Sequence, residues 1–141
     1  MSAPDFKIIG LSVWVLSREF DSSDDYWDGN WLLVRALCEA HGAVVETTGP
    51  ILHLGELEQW LHELRAAHSS LNGIATLECT EPNLSVSLSL TQGNGELVVD
   101  LTPNHMMQKH RFRFEIDQSY LPALCSELER LLARYPIRGQ R

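Results

Sequence analysis

Apolar and polar positions follow two different periods along this chain, and the changes of period predict where strands give way to helices. Residues 6–16 (FKIIGLSVWVL) are apolar on both alternating faces, which is typical of a strand covered on both sides. Residues 84–91 (LSVSLSLT) alternate strictly, so one face of that strand meets water. Less regular alternation predicts further strands at 31–40, 43–48, 73–80, 96–102 and 110–116.

Two segments have the helical period instead. In residues 56–68, apolar side chains recur at helical spacing, namely Leu57, Trp60, Leu61 and Leu64. A second helix is predicted from about residue 119 to residue 134, with a stripe formed by Leu121, Leu124, Leu128, Leu131 and Leu132. Ser119 is its predicted N-cap, which places Pro122 in the first turn. Tyr135 and Pro136 end the helix, and residues 136–141 are predicted to be a frayed tail.

The order of these elements predicts an α+β fold. Strands, a helix, more strands and a second helix follow one another without a βαβ rhythm, and short links such as QGNG at 92–95 favour antiparallel pairing. A length of 141 residues suits one domain, and no linker interrupts it. The sequence therefore predicts a single domain over residues 1–141. It would be a mainly antiparallel curved sheet, or a partly open sandwich, of six or seven strands with the two amphipathic helices on an apolar face.

Composition and charge narrow the class of partner. The net charge of −8 argues against binding nucleic acid or an anionic membrane surface, because both require a basic face. No signal-peptide pattern is present, and no apolar run approaches the ~20 residues of a membrane helix. The three cysteines lack a CxxC pair, which favours small buried side chains in a reducing compartment over a reactive thiol. We expect a cytoplasmic protein.

Six histidines raise the question of a metal site. His62 and His68 lie six residues apart on the first predicted helix and so do not share a face. His105 and His110 flank one loop, where they could either meet in space or be solvated separately. Neither HExxH nor a Cys–His zinc spacing occurs, and the sequence predicts no metal.

Motifs for catalysis are equally absent from the sequence. It contains no GxSxG, and no cysteine lies in a recognisable catalytic setting. The GNG at 93–95 belongs to a hairpin turn, because it lacks the longer glycine pattern and the following helix of a phosphate loop. The sequence predicts neither an enzyme nor a cofactor.

Residues 21–31 (DSSDDYWDGNW) are the most unusual stretch, since they place aromatic side chains among four aspartates. A calcium loop would need another ligand register and a closing glutamate. An ordered turn and a recognition surface both explain the stretch, and the two are compatible because a rigid turn is a good platform. The candidate binding residues are Asp24, Asp25, Tyr26, Trp27, Asp28, Asn30 and Trp31, with Trp27 expected at the tip.

Four blocks, in order along the chain, resemble the WapI family of bacterial immunity proteins: DYWDGNWLLV at 25–34, LGELEQWLHEL at 54–64, EPNLSVSL at 81–88 and LLARYP at 131–136. The likeness extends over about residues 6–136. It implies a small cytoplasmic antitoxin that binds and neutralises a cognate toxin, without catalysis. Besides the first block, Glu81, Pro82 and Asn83 match the family pattern.

The function predicted from the sequence is therefore a non-enzymatic protein-binding protein that occludes a toxin, with a basic toxin domain as the candidate partner. Its oligomeric state stays open. The alternative is a small-ligand or metal-binding module that uses the Asp24–Asn30 loop.

Overall fold

In the computed structural model, which describes residues 2–141, the chain builds the same arrangement twice: four antiparallel strands followed by a helix. The first sheet has the order β1-β2-β3-β4 and the second β5-β6-β7-β8, and both are open. The first half comprises β1 (Phe6–Ile8), β2 (Leu11–Arg18), β3 (Trp31–Ala40), β4 (Ala43–His53) and α1 (Leu54–Ser70). The second comprises β5 (Gly73–Glu78), β6 (Leu84–Thr91), β7 (Asn94–Leu101), β8 (Arg111–Asp117) and α2 (Leu121–Arg134).

The predicted α+β class with two helices is confirmed, and the strands number eight among the described residues. The extra strand arises because residues 6–16 are two strands instead of one. The chain reverses at Ile9, whose φ is +52°, and at Gly10. A Cβ on Gly10 would lie 2.1 Å from the carbonyl oxygen of Glu39, so the turn packs too closely for any other residue.

Both helices bury their apolar faces, as their leucine spacing predicts. Trp60 on α1 is fully buried, and its indole N–H donates to the carbonyl of Ala75 on β5. Its ring meets Phe6 of β1 edge-on, with centroids 6.0 Å apart. On α2, Leu124 and Leu128 are also fully buried. Because α1 packs on β5 and on α2, which in turn packs on β1, the helices join the two sheets into one core.

The ends of the helices differ from the prediction. Helix α1 begins at Leu54, two residues early, because His53 caps it: the ring accepts a hydrogen bond from the Gly55 N–H, while the Glu56 carboxylate accepts one from the His53 N–H. Strand β4 accordingly continues beyond Pro50 to His53.

Helix α2 begins at Leu121, with Pro122 in its first turn as predicted. Ser119 as N-cap is wrong. A short 3₁₀ turn, Gln118–Tyr120, precedes the helix, and the Asp117 carboxylate accepts the hydrogen bond from the Ser119 N–H. The Ser119 hydroxyl also donates to this carboxylate, and the two hydrogen bonds lower the pKa of Asp117 because they favour its charged form.

Helix α1 also covers the free edge of β5. The Glu63 carboxylate accepts a hydrogen bond from the Thr76 N–H at 2.9 Å, and Glu56 accepts one from the Thr80 N–H at 2.7 Å. Edge N–H groups that are satisfied in this way no longer recruit another strand. The two glutamates are therefore fixed beside the edge of β5, where they border the candidate site.

Candidate functional site

The acidic loop between β2 and β3, residues 19–30, is ordered by one of its own aspartates. The Asp25 carboxylate accepts hydrogen bonds from the N–H groups of Trp27 and Asp28, both at 3.0 Å. The Asp25 carbonyl also accepts the Gly29 N–H at 2.8 Å. A 3₁₀ turn, Asp28–Asn30, follows and leads directly into β3. Asp25 therefore shapes the loop, as aspartates commonly do in turns.

Asn30 joins the loop to the end of the chain. Its side chain is fully buried and donates to the carbonyls of Tyr26 at 2.7 Å and Arg138 at 2.8 Å. Its amide oxygen accepts the Arg138 N–H at 2.8 Å. Gly139, with φ +68°, also passes close to Tyr26. The frayed tail predicted from residue 136 is therefore wrong for residues 136–139, because a buried amide in a distant loop binds this backbone.

Two arginines hold the loop from beneath. Arg18 is buried, and its guanidinium donates to the carbonyls of Gly29 and Pro136. Burial lowers its pKa, and the nearby Arg138 lowers it further. Arg138 in turn donates to the carbonyls of Asp21 and Ser23. Since both guanidinium groups bind backbone carbonyls, the aspartate side chains are left to face solvent.

His53 is the centre of an aromatic cluster that supports the loop. The centroid of its ring lies 5.2 Å from that of Tyr26, 5.3 Å from that of Trp27 and 5.1 Å from that of Trp31. Because its Nδ1 accepts the Gly55 N–H, its Nε2 carries the proton and donates to the Tyr26 carbonyl at 3.1 Å. One side chain therefore caps α1 and positions the loop.

The seven candidate residues lie together in this loop, but they face different ways. Asn30 and Asp25 are used internally, as described above. Tyr26 and Trp31 are half-buried against His53. Trp27 is 52% exposed, and the Asp24 and Asp28 side chains are exposed with no hydrogen bond or ion pair to any described residue. The surface available to a partner is thus Trp27 with an acidic rim.

A groove of about 260 Å³ runs beside Trp27. One wall is the loop and the other is formed by the first turns of α1 and the edge of β5. The residues that line it are Tyr26, Trp27, His53, Gly55, Glu56, Gln59, Glu63, Thr76, Glu78, Thr80 and Arg141.

The segment Glu81–Asn83, which also matches the family pattern, lies at this end of the molecule. Thr80 is bonded to Glu56, and Asn83 follows at the start of β6. The Asn83 amide donates to the carbonyls of Thr102 at 2.9 Å and Pro103 at 3.2 Å, and so holds the loop between β7 and β8. Asn83, like Asn30, is used to fix a distant segment.

Groups suited to metal binding or nucleophilic chemistry do not converge here. Within residues 2–141, no three His, Cys, Asp or Glu side chains come together to hold a metal ion. Burial raises the pKa of Cys38 to about 12, and it also raises the pKa values of Cys79 and Cys125. At neutral pH these thiols stay protonated and are poor nucleophiles.

Three residues of the site are not among those predicted from sequence: His53, Arg18 and Arg138. His53 had a local signal, because a glutamate three residues after a cap residue is the spacing of a capping box. The two arginines had no local sequence signal, because they have partners far away along the chain: Arg18 and Pro136 are 118 residues apart.

Comparison with known proteins identifies the family of this chain. The model of the immunity protein WapI-like family matches residues 5–136, which include all four blocks quoted above. The chain belongs to this family. Membership in the WapI-like family points to a protein partner such as a toxin.

The fold also has a counterpart among solved structures. The crystal structure of WHY1 from Arabidopsis thaliana aligns with a TM-score of 0.50 and 12% sequence identity, over 90% of this chain and 78% of that one. At that identity the likeness concerns the fold alone. A search of curated proteins gives no match. Among the residues that the structure describes, no helix is long and apolar enough to cross a membrane.

Proposed function

We propose that this WapI-like protein is a cytoplasmic, non-enzymatic immunity protein that neutralises a toxin by covering its active site. The observation that carries the proposal is the exposed Trp27 on a loop that is already ordered without a partner. The contact surface would comprise Trp27, Asp24 and Asp28, with Tyr26 and Trp31 supporting the tryptophan from below.

Pre-organisation favours such a role. Tryptophan residues are common anchors of protein interfaces because they bury a large area for few rotatable bonds. The His53 cluster holds the Trp27 ring, and the Asp25 carboxylate fixes its backbone. Binding therefore needs little ordering of the loop, and most of the contact energy remains available for affinity.

Charge would act mainly on the rate of association. The chain carries −8, and Asp24 and Asp28 present unpaired carboxylates around Trp27. Complementary charge accelerates encounter with a basic partner, and salt screens the effect. A basic toxin domain is therefore the partner that the charge pattern favours.

The direct test first seeks a gene for a large secreted toxin beside the gene of this chain, and then uses the toxic domain of that protein. Co-expression should rescue growth, and Trp27→Ala should weaken binding by about 2 kcal/mol or more, roughly thirtyfold in Kd. Tyr120→Ala is the matched control, because Tyr120 is an exposed aromatic beside Asp117, at the opposite end of the second sheet. If folded Trp27→Ala binds the toxin with normal affinity but has a lowered melting temperature, the loop has a structural role only.

A second measurement separates steering from contact. Asp28→Lys should slow association with a basic toxin, and the loss should shrink in high salt. Glu115→Lys, an equal charge change on the exposed face of β8, should have a smaller effect. Equal effects at both positions would show that only net charge matters, and that the loop has no special role in encounter.

The alternative, a small-ligand or metal module, has weaker support in the geometry. The groove is smaller than the roughly 300–1,000 Å³ typical of ligand pockets. Calorimetric titration with calcium is the deciding experiment for a metal. Stoichiometric micromolar binding that disappears in Asp24→Asn or Asp28→Asn would replace the proposed function with this alternative.

A further inference from the structure

The groove beside Trp27 has the chemical character of a cation site. Glu56, Glu63 and Glu78 contribute carboxylates, while Trp27 and Tyr26 contribute aromatic rings. A positive charge near such rings is attracted to their faces, and a planar guanidinium can stack on a ring while it binds carboxylates.

Two of these carboxylates are held in place. Glu56 accepts hydrogen bonds from the N–H groups of His53 and Thr80, and Glu63 accepts from the Thr76 N–H and the Gln59 amide. Their orientation is therefore set by the fold. Glu78, at the end of β5, is exposed and makes no such bond with the described residues. It is the carboxylate that an incoming charge can engage at the smallest structural cost.

An independent observation shows which cation fits. The groove is lined by Arg141 of the same chain, the only arginine or lysine among the described residues that border it. An arginine of this chain thus already borders the aromatic and acidic walls. Hydrogen bonds from Arg18 to Pro136 and between Asn30 and Arg138 attach the preceding residues to the acidic loop. They keep Arg141 near the groove.

From this arrangement we infer that the groove binds an arginine side chain of the partner, and that Arg141 occupies it beforehand as a competitor. Partner binding then requires Arg141 to leave, so the affinity is lower than the groove alone would give. The partner's identity as a toxin rests on the proposed function; the preference for a guanidinium group rests on the groove itself.

Hexa-arginine peptide is a probe that needs no knowledge of the toxin. It should be titrated at about 150 mM salt, where non-specific attraction is screened, while the indole N–H signals of the four tryptophans are followed by NMR. The signal of Trp27, assigned with Trp27→Phe, should shift and saturate, while that of buried Trp60 should not. Hexa-lysine should bind about threefold more weakly or worse, because an ammonium cannot stack.

Charge-matched variants decide whether the groove or the net charge is responsible. Arg141→Ala should tighten peptide binding about threefold or more, whereas Arg130→Ala, which removes one exposed charge on α2, should tighten it less. Glu78→Gln should weaken binding, and Glu58→Gln, on the exposed face of α1, should not. Equal effects within either pair, or no movement of the Trp27 signal, would overturn the inference.

The two proposals can fail separately. If the peptide ignores the groove but Trp27→Ala still abolishes rescue from the toxin, the arginine site is wrong and the proposed function stands. If the peptide results hold but Trp27→Ala leaves toxin binding intact, the groove is an arginine site that serves another partner.

Discussion

Two loops at the same end of the molecule are held in place by different kinds of contact. The acidic loop, residues 19–30, is fixed by buried Asn30, by two arginines and by the ring of His53. The loop between β7 and β8, residues 102–110, is attached by Asn83 and by a local turn in which the Asn104 carbonyl and side chain accept backbone N–H groups.

The two loops also differ in the side chains that they expose to solvent. The acidic loop exposes about half of two aromatic side chains, Phe20 and Trp27, at 47% and 52%. The other loop exposes Met106 and Met107 almost completely, at 79% and 80%. An exposed side chain contributes little to stability when its residue is held only by backbone hydrogen bonds. We therefore expect the two loops to contribute very different shares of the folding free energy.

The largest expected effect compares the two asparagines. Asn30→Ala should lower the free energy of unfolding by about 3 kcal/mol, because it removes hydrogen bonds to Tyr26, Arg18 and Arg138 and leaves the backbone N–H and carbonyl of Arg138 without their partner. Asn83→Ala should lower it by about 1 kcal/mol, since water can replace a half-exposed amide. Urea unfolding of both variants measures the difference, and equal losses would show that the acidic loop is no better anchored than its neighbour.

The parts predictable from sequence were those fixed by neighbours along the chain. Periodicity alone indicated that Leu64 and Leu128 face the core, and both are fully buried. Alternation placed the strand β6 at 84–91 without error. The prediction of one strand over residues 6–16 was wrong because apolar alternation continues through Ile9. The isolated glycine at position 10 was the available signal, since such a glycine within a strand pattern marks a bulge or close approach.

The site was predictable only in part for the same reason. Its seven candidate residues could be proposed because they lie within eight consecutive positions, 24–31. Their division into internal and exposed groups depends on contacts across the whole chain, such as that between Asn30 and Arg138, 108 residues apart. No local pattern encodes such a contact, so a sequence can indicate where a surface lies without showing which side chains face outward.

The second prediction concerns His53, which supports the acidic loop and also caps α1. His53→Ala removes both the cap of α1 and the ring beneath Trp27, so we expect a loss of about 2 kcal/mol in unfolding free energy. His53→Asn keeps an acceptor for the Gly55 N–H and should recover about half. If the two variants are equally unstable, the ring contacts and not the cap account for the effect of His53.

The third prediction separates adjacent aspartates within the acidic loop. Asp25→Ala should cost about 1 kcal/mol of stability, because the N–H groups of Trp27 and Asp28 lose their acceptor. Asp24→Ala should change stability by less than about 0.5 kcal/mol, since its carboxylate is exposed. Thermal melts at several protein concentrations would measure both. A larger loss for Asp24 would mean that the rim, too, is structural.

The smallest expected effect lies in the loop between β7 and β8. Replacing both exposed methionines, Met106→Ser with Met107→Ser, should leave the unfolding free energy within about 0.5 kcal/mol of the parent value. The turn survives because its hydrogen bonds run from backbone N–H groups to Asn104 and involve neither thioether. Asn104→Ala is the matched variant and should destabilise more than the double replacement, although it removes fewer atoms. A clear drop in melting temperature for the methionine pair would mean that these side chains pack against the protein in solution. The contrast between an anchored loop and a loosely attached one would then be lost.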